Sequence, residues 1–293
     1  MAEHAGGIGL SLAQALADAR SAGLDRLDAQ LLLLHALGKS AAERAWLVAH
    51  DQDALPFDAA ARFAALCKRR AEGEPLAYVV GQQEFFGLTL AVDARVLIPR
   101  PDTETLVNWA LEPLQPPLPP AARVLDLGTG SGAIALALQQ ARPAWQVSAI
   151  DASPDAVAVA RSNAQALGLQ VPVTLSRWLE SVSGAFELIV SNPPYVREGD
   201  PHLAALGHEP AQALTAGADG LDDLRQIIAA APGHLASGGW LLLEHGYDQA
   251  TPVSELLRAR GFVAVASRPD LAGILRCTGG RWPGAGRGTE SAG

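Results

Sequence analysis

From Arg123 onward, short apolar runs alternate with longer amphipathic stretches, and this alternation restricts the fold more than any other feature. The runs at 123–127, 146–150, 171–175, 186–191, 240–244, 262–266 and 274–278 read as strands. Helical periodicity fills most of the gaps, at 133–141, 155–167, 221–236 and 252–260. A helix between two strands is the usual crossover that returns the chain for a parallel neighbour. The expectation is an α/β fold, a seven-stranded, mostly parallel sheet covered on both faces.

The first run ends in a glycine loop, Asp126-Leu127-Gly128-Thr129-Gly130-Ser131-Gly132, with a helix from Ala133. Glycines allow the tight turn and let backbone approach a ligand. The next strand leads to Asp151, a carboxylate able to accept from both hydroxyls of a ribose. Together they describe an adenosine-containing cofactor beyond the strand ends. The spacing is GxGxG. A dinucleotide fingerprint would place its last glycine at Ala133, and no GK[ST] is present for a nucleotide phosphate. With Asp126 upstream, the pattern fits the amino-acid end of S-adenosylmethionine. Its ammonium can meet Asp126 or the loop carbonyls. Trp178, in the loop after the third strand, is placed to flank the adenine, although a core tryptophan would read the same way.

The strand at 186–191 runs into Asn192-Pro193-Pro194-Tyr195. Two prolines cannot donate to a ladder, so the chain leaves the sheet abruptly. Asn192, two backbone carbonyls and the Tyr195 ring then face one small space, suited to a planar –NH2 group. The Asn192 oxygen and the Pro193 carbonyl are candidates to accept its two hydrogens, with Pro194 holding the turn and Tyr195 packing on the amide.

The first third differs. Residues 9–72 are helical in pattern, with Ser11 and Asp25 as start signals and Gly23 and Gly38 as stops. This reads as a small N-terminal helical domain over 1–75. Tyr78-Val79-Val80 and the stretch from Glu84 to Val92 read as extended, a hairpin-like connector within 76–100. In Ile98-Pro99-Arg100-Pro101-Asp102-Thr103-Glu104, Asp102 or Thr103 is expected to cap a helix, and the segment can also cover the site. The cofactor domain spans 101–280, and 281–293 reads as a disordered tail.

Net charge is −9, and Lys68-Arg69-Arg70 is the main basic cluster, which argues against a nucleic-acid partner. No apolar run nears the roughly 18 residues of a membrane span. The start lacks a basic segment followed by an apolar core, so no secretory leader is read there. The 2 cysteines, Cys67 and Cys277, are expected reduced and buried, and the 7 histidines show no ligand spacing, so no metal is expected. The chain reads as cytoplasmic.

At these residues the chain resembles the class I S-adenosylmethionine-dependent methyltransferases, with a Rossmann-like sheet. It is similar in particular to the release-factor glutamine N5-methyltransferase family (PrmC, or HemK). The match includes Asp28-Ala29-Gln30-Leu31-Leu32-Leu33, Pro75-Leu76-Ala77-Tyr78, Glu84-Phe85-Phe86-Gly87-Leu88, the Ile98–Glu104 segment, the glycine loop, Asn192–Tyr195, Gly217-Ala218-Asp219-Gly220-Leu221 and Asp270-Leu271-Ala272-Gly273. The resemblance implies that residues 128–132, Asp151, Trp178 and Asn192 bind the cofactor, with S-adenosylhomocysteine as product. It implies that Asn192 to Tyr195 hold the glutamine of the GGQ loop of class-1 peptide-chain release factors, docked by the helical domain. Separately, a monomer is expected. Arg177 stands where the family often has Asp, so an acidic contact to the adenine is missing or supplied elsewhere. The alternatives are an adenine-N6 nucleic-acid methyltransferase, which shares both motifs, and a non-catalytic adenosine-binding module.

Overall fold

The computed structural model describes residues 10–284. They form two compact units divided between Gly81 and Gln82. The first contains helices α1 (Leu12–Ser21), α2 (Arg26–Ala36), α3 (Arg44–Ala49), α4 (Phe57–Ala71) and α5 (Leu76–Val80). Ser11 and Asp25 cap α1 and α2, accepting from the amides of Gln14 and Leu27. Leu32, Leu33 and Leu34 are fully buried, packed with Leu12, Leu47 and Phe63. The expectation that Tyr78 to Val80 are extended is corrected: they form α5. Pro75 pre-sets its first turn, and Gly81, at φ 74°, ends it. The basic cluster on α4 is partly paired, Arg69 with Glu74 and Arg70 with Asp28.

The second unit opens with a hairpin, β1 (Gln82–Phe85) and β2 (Leu88–Ala91), whose Phe85, Leu88 and Leu90 join the core of this unit. It continues through α6 (Glu104–Leu111), β3 (Arg123–Leu127), α7 (Ala133–Ala141), β4 (Gln146–Asp151), α8 (Pro154–Leu167), β5 (Val173–Leu175) and β6 (Phe186–Ser191). Next come α9 (Asp222–Ala230), β7 (Leu235–Glu244), α10 (Ala250–Arg260), β8 (Val263–Pro269) and β9 (Leu275–Arg281). The sheet has seven strands in the order β5-β4-β3-β6-β7-β9-β8. β3 to β7 are parallel where they pair, and β9 runs antiparallel between β7 and β8. Val124, Leu188, Val190 and Leu242 face one apolar layer, and Leu125, Leu127, Ile189 and Leu241 the other, as expected for a sheet covered on both sides.

The helix expected at 221–236 is shorter. Pro232 lacks the N–H that would continue it, so the chain tightens into a 3-10 turn at Ala231–Gly233 and enters β7 at Leu235. Arg281 ends β9 and Trp282 packs on Phe262, so the fold runs past the 281 boundary of the expected tail. Residues 285–293 lie outside the described residues. Both cysteines are free, Cys277 buried and Cys67 only half so. No helix among the described residues is long and apolar enough to cross a membrane.

Candidate active site

The sheet changes direction between β3 and β6. From β3 the chain moves outward through β4 and β5, and from β6 it moves the other way to β7. The loops leaving β3 and β6 therefore diverge, and the space between them is where ligands of such sheets sit.

On one side lies a cavity of about 480 Å³, bordered by Gly128, Gly130, Asp151, Trp178, Asn192 and Pro194 among others. Asp151 Oδ2 accepts from the Gly130 amide at 2.9 Å, and Oδ1 from the Ser153 amide at 2.9 Å. Each oxygen keeps a lone pair for a ribose hydroxyl. Burial holds the Asp151 carboxyl above its ordinary range. Gly128 has φ 70°, and a Cβ there would stand 3.3 Å from Trp178 Cζ3. The indole edge thus rests on bare backbone, and a side chain at 128 would fill the cradle. Trp178 packs on the apolar layer of α9, as a core tryptophan would, and also borders the cavity. Its Nε1 donates to Asp223 Oδ1 at 3.1 Å. Asp223, unmarked in the sequence, puts a half-buried carboxylate on the wall where Arg177 replaces the family's Asp.

Asp126, Thr129, Ser131 and Gly132 sit behind this wall. Asp126 is fully buried, and Oδ2 accepts from Thr129 Oγ1 at 2.6 Å and from the Ala135 amide at 3.3 Å. Burial pushes its carboxyl up to about 7. Oδ1 has no partner among the described residues and is its one atom still able to take a donor. Asp126 therefore shapes the loop from beneath. The Ser131 carbonyl accepts from Asn163 Nδ2 at 2.9 Å, which ties the loop to α8. Gly132, at φ 89°, is the N-cap of α7.

A second cavity, of about 310 Å³, borders Arg100, Asn192, Pro193, Tyr195, Tyr247 and Arg276. Leu97, Asn192 and Ala213 border both cavities, so Asn192 stands at their junction. Ser191 Oγ donates to the Leu127 carbonyl at 2.7 Å and pins the end of β6 to the start of the glycine loop. Asn192 Nδ2 donates to Thr103 Oγ1 at 3.2 Å, and the Tyr195 hydroxyl donates to Glu244 Oε1 at 3.3 Å. The Tyr195 carbonyl accepts from Gln249 Nε2 at 3.0 Å, and a Cβ at Gly220 would collide with that same oxygen. This close approach explains the glycine of the Gly217–Leu221 motif.

The Ile98–Glu104 segment crosses beside the junction. The buried Glu209 holds it, accepting from the Ile98 amide at 3.1 Å and pairing with Arg100. Asp102 lies 3.4 Å from Arg276. The capping expectation is corrected: neither Asp102 nor Thr103 caps α6 with its side chain. The Thr103 hydroxyl takes Asn192 instead, and Glu104 Oε1 accepts from the Phe86 amide at 3.0 Å. Thr103 thus joins the site from the Ile98–Glu104 motif by contacting Asn192, and Glu244 joins it outside any motif by contacting Tyr195. The one signal for Glu244 was a lone carboxylate closing the apolar run Trp240-Leu241-Leu242-Leu243.

A glycine loop and a carboxylate facing a switch-point crevice are the arrangement expected of an S-adenosylmethionine-dependent methyltransferase, and comparison with known proteins shows that class. The Methyltransferase small domain model matches residues 107–209, and the PrmC N-terminal domain model matches residues 11–81. A release factor glutamine methyltransferase of Xylella fastidiosa is 48% identical over 274 residues, covering 92% of this chain and 98% of the relative. One from Pseudomonas aeruginosa is 50% identical over 261 residues, covering 88% and 92%. The chain belongs to the release factor glutamine methyltransferase family. Among solved structures, the hMettl16 catalytic domain in complex with MAT2A 3'UTR hairpin 1 shares the fold at TM-score 0.56 and 18% identity, over 77% of this chain and 80% of that one. A methyltransferase from Pyrococcus furiosus does so at TM-score 0.53 and 19% identity, over 74% and 98%.

Proposed function

We propose that this chain transfers a methyl group from S-adenosylmethionine to the side-chain amide nitrogen of the glutamine in the GGQ motif of class-1 peptide-chain release factors. The observation that carries the reading is Asn192 at the junction of two cavities, one with a ribose-ready carboxylate and one lined by Pro193 and Tyr195. The residues fit the cofactor: Gly128 leaves a cradle, Asp151 offers paired acceptors, and Asp126 Oδ1 is an unsatisfied buried acceptor. S-adenosylmethionine, when bound, supplies a sulfonium-activated methyl and is left as S-adenosylhomocysteine.

An amide nitrogen is a weak nucleophile because its lone pair is delocalised into the carbonyl. Asn192 Oδ1 and the Pro193 carbonyl accept its two hydrogens, which fixes the lone pair and places negative partial charge where positive charge develops. Tyr195 packs on the amide plane. The surplus proton passes to water. Catalysis is then orientation plus electrostatic stabilisation, and well-aligned geometry alone is worth up to roughly 7–11 kcal/mol.

The helical unit is the docking element for the release factor, and the chain acts in the cytoplasm as a monomer. The acidic balance and the ion-paired Arg69 and Arg70 disfavour a nucleic-acid substrate. The test is labelled-methyl transfer to purified release factor, with peptide mapping of the label. Label on the GGQ glutamine is expected. Transfer to adenine in RNA or DNA, with none to the release factor, would overturn the reading.

A further inference from the structure

The acceptor cavity is lined by more than Asn192, Pro193 and Tyr195. Arg100 from the crossing segment and Arg276 from β9 also border it. Each is held from behind by a buried carboxylate that does not itself border the cavity. Arg100 Nη2 donates to Glu209 Oε1, while Glu209 Oε2 accepts from the Ile98 amide at 3.1 Å. Arg276 Nε donates to Asp270 Oδ2 at 3.0 Å and lies 3.4 Å from Asp102. Asp270 is fixed in turn, its Oδ1 accepting from the Ala272 and Ile274 amides at 2.8 and 2.9 Å. The Arg276 carbonyl accepts from the His245 amide at 2.9 Å, which anchors the backbone as well.

A guanidinium carries five N–H donors in a planar fork. The hydrogen bonds of the structure use one nitrogen of each, Nη2 of Arg100 and Nε of Arg276. The other donors remain for a ligand. Charge limits what that ligand can be. Each arginine bordering the cavity already has a carboxylate partner, Arg197 pairing with Asp248 at 2.9 Å. A phosphate or carboxylate would have to compete with those partners, whereas a neutral carbonyl oxygen accepts without displacing them. A glutamine preceded by two glycines offers no side chain on that flank, only peptide groups. A peptide carbonyl drawn into the cavity loses water and needs a donor there.

We infer that Arg100 and Arg276 form a subsite for the substrate main chain, donating to the carbonyl oxygens next to the glutamine and so recognising a loop rather than a lone side chain. The inference rests on the glutamine-methylating reading given above. It concerns how the loop is recognised, not the chemistry at Asn192. Glu209 and Asp270 are the positioning residues of this subsite: they aim each fork before the substrate arrives, which lowers the cost of ordering it on binding.

The test compares wild type with Arg100→Lys and Arg276→Lys. Lysine keeps the charge that Glu209 and Asp270 face but not the fork. Each variant should raise the KM for release factor on the order of tenfold. Saturated turnover should stay within about threefold, since the amide is still held at Asn192. Thermal unfolding and affinity for S-adenosylmethionine should stay near wild type. A merely loosened segment would lower both, because Leu97, just before it, also borders the donor cavity. Calorimetry of release factor binding to enzyme loaded with S-adenosylhomocysteine makes the same comparison without turnover. Peptides carrying the loop identify the atoms. An ester in place of a peptide bond next to the glutamine weakens that carbonyl as an acceptor. It should cost wild type several-fold in KM and the Lys variant of the contacted arginine little. KM within about twofold of wild type in both Lys variants, or an equal ester penalty in all three enzymes, would overturn the inference. So would inorganic phosphate competing with release factor at constant ionic strength, since that marks an anion site. If both Lys variants fail to fold, wild type decides: an ester without effect, or competition by phosphate, overturns the subsite. A wild type that labels no release factor instead sinks the substrate reading. If it still binds release factor, the calorimetric comparison judges the arginines; if it does not, both fall.

Discussion

The two walls of the crevice are built in opposite ways. The donor wall is local: residues 126–132 form one strand, loop and cap, and Asp151 closes the adjacent strand, its side chain accepting from the Gly130 amide of that loop. Its recognition groups are largely backbone, shaped by glycine. The acceptor wall is assembled at long range, from Thr103 before α6, Asn192 and Tyr195 after β6, and Glu244 at the end of β7. Its groups are side chains, Asn192 donating to the Thr103 hydroxyl and Tyr195 to the buried Glu244 carboxylate. On the proposed reading, cofactor affinity comes mainly from a short local motif, and orientation of the reacting amide from contacts between distant segments.

Two substitutions separate the walls. Asn192→Ala removes the proposed acceptor of the substrate amide and should cost turnover on the order of 10²-fold, about 2.7 kcal/mol. Cofactor binding should weaken but remain detectable by calorimetry, since Asn192 also borders the donor cavity. Methylation within about threefold of wild type, roughly 0.7 kcal/mol, would refute its role. Asp151→Ala should do the reverse. Losing charge-assisted bonds to two hydroxyls should weaken cofactor affinity by on the order of 10–100-fold, with saturated turnover far less affected. Equal loss of cofactor affinity in both variants would erase the distinction between the walls.

A backbone test of the donor wall comes next in size. Gly128→Ala places a Cβ at φ 70°, 3.3 Å from the Trp178 ring. The strain is about 1–2 kcal/mol. Thermal unfolding should occur a few degrees lower, and cofactor affinity should fall about tenfold as Trp178 is pushed from the loop. Affinity equal to wild type would mean that the close contact of Trp178 with bare backbone is not used in binding.

What could be read beforehand follows the same division. Five parallel strands, the glycine loop and Asp151 are written in contiguous residues, so periodicity and spacing exposed them. The connection after α9 was misjudged because helical periodicity continues past Pro232, where the missing N–H ends the helix. Tyr78 to Val80 looked extended because β-branched and aromatic residues favour strands, but Pro75 and Gly81 bracket a single helical turn. Thr103 read as a cap because its type and place fit one. A partner 89 positions away in sequence claims its hydroxyl. Glu244 showed only as a lone carboxylate closing an apolar run, and its contact with Tyr195 depends on β7 lying next to β6.

Asp223 is the smallest test and the one that bears on where the donor wall ends. It stands outside the contiguous motif, at the start of α9, and accepts from Trp178 Nε1. Burial raises its carboxyl, while that bond and Arg177 oppose the rise. If it holds the indole against Gly128, Asp223→Ala frees a neutral donor worth about 0.5–1.5 kcal/mol, so cofactor affinity should fall roughly 2–10-fold. Turnover at saturating cofactor should not change, because Asp223 borders the donor cavity and not the acceptor one. Asp223→Asn keeps the acceptor oxygen for Trp178 and removes only the charge. If Asn restores affinity, the residue acts by orienting the indole. If Asn behaves as Ala does, the charge itself is read by the ligand, and Asp223 then replaces the acid that Arg177 displaced. A turnover loss in either variant would show that the two walls are coupled through Trp178 and are not separable modules.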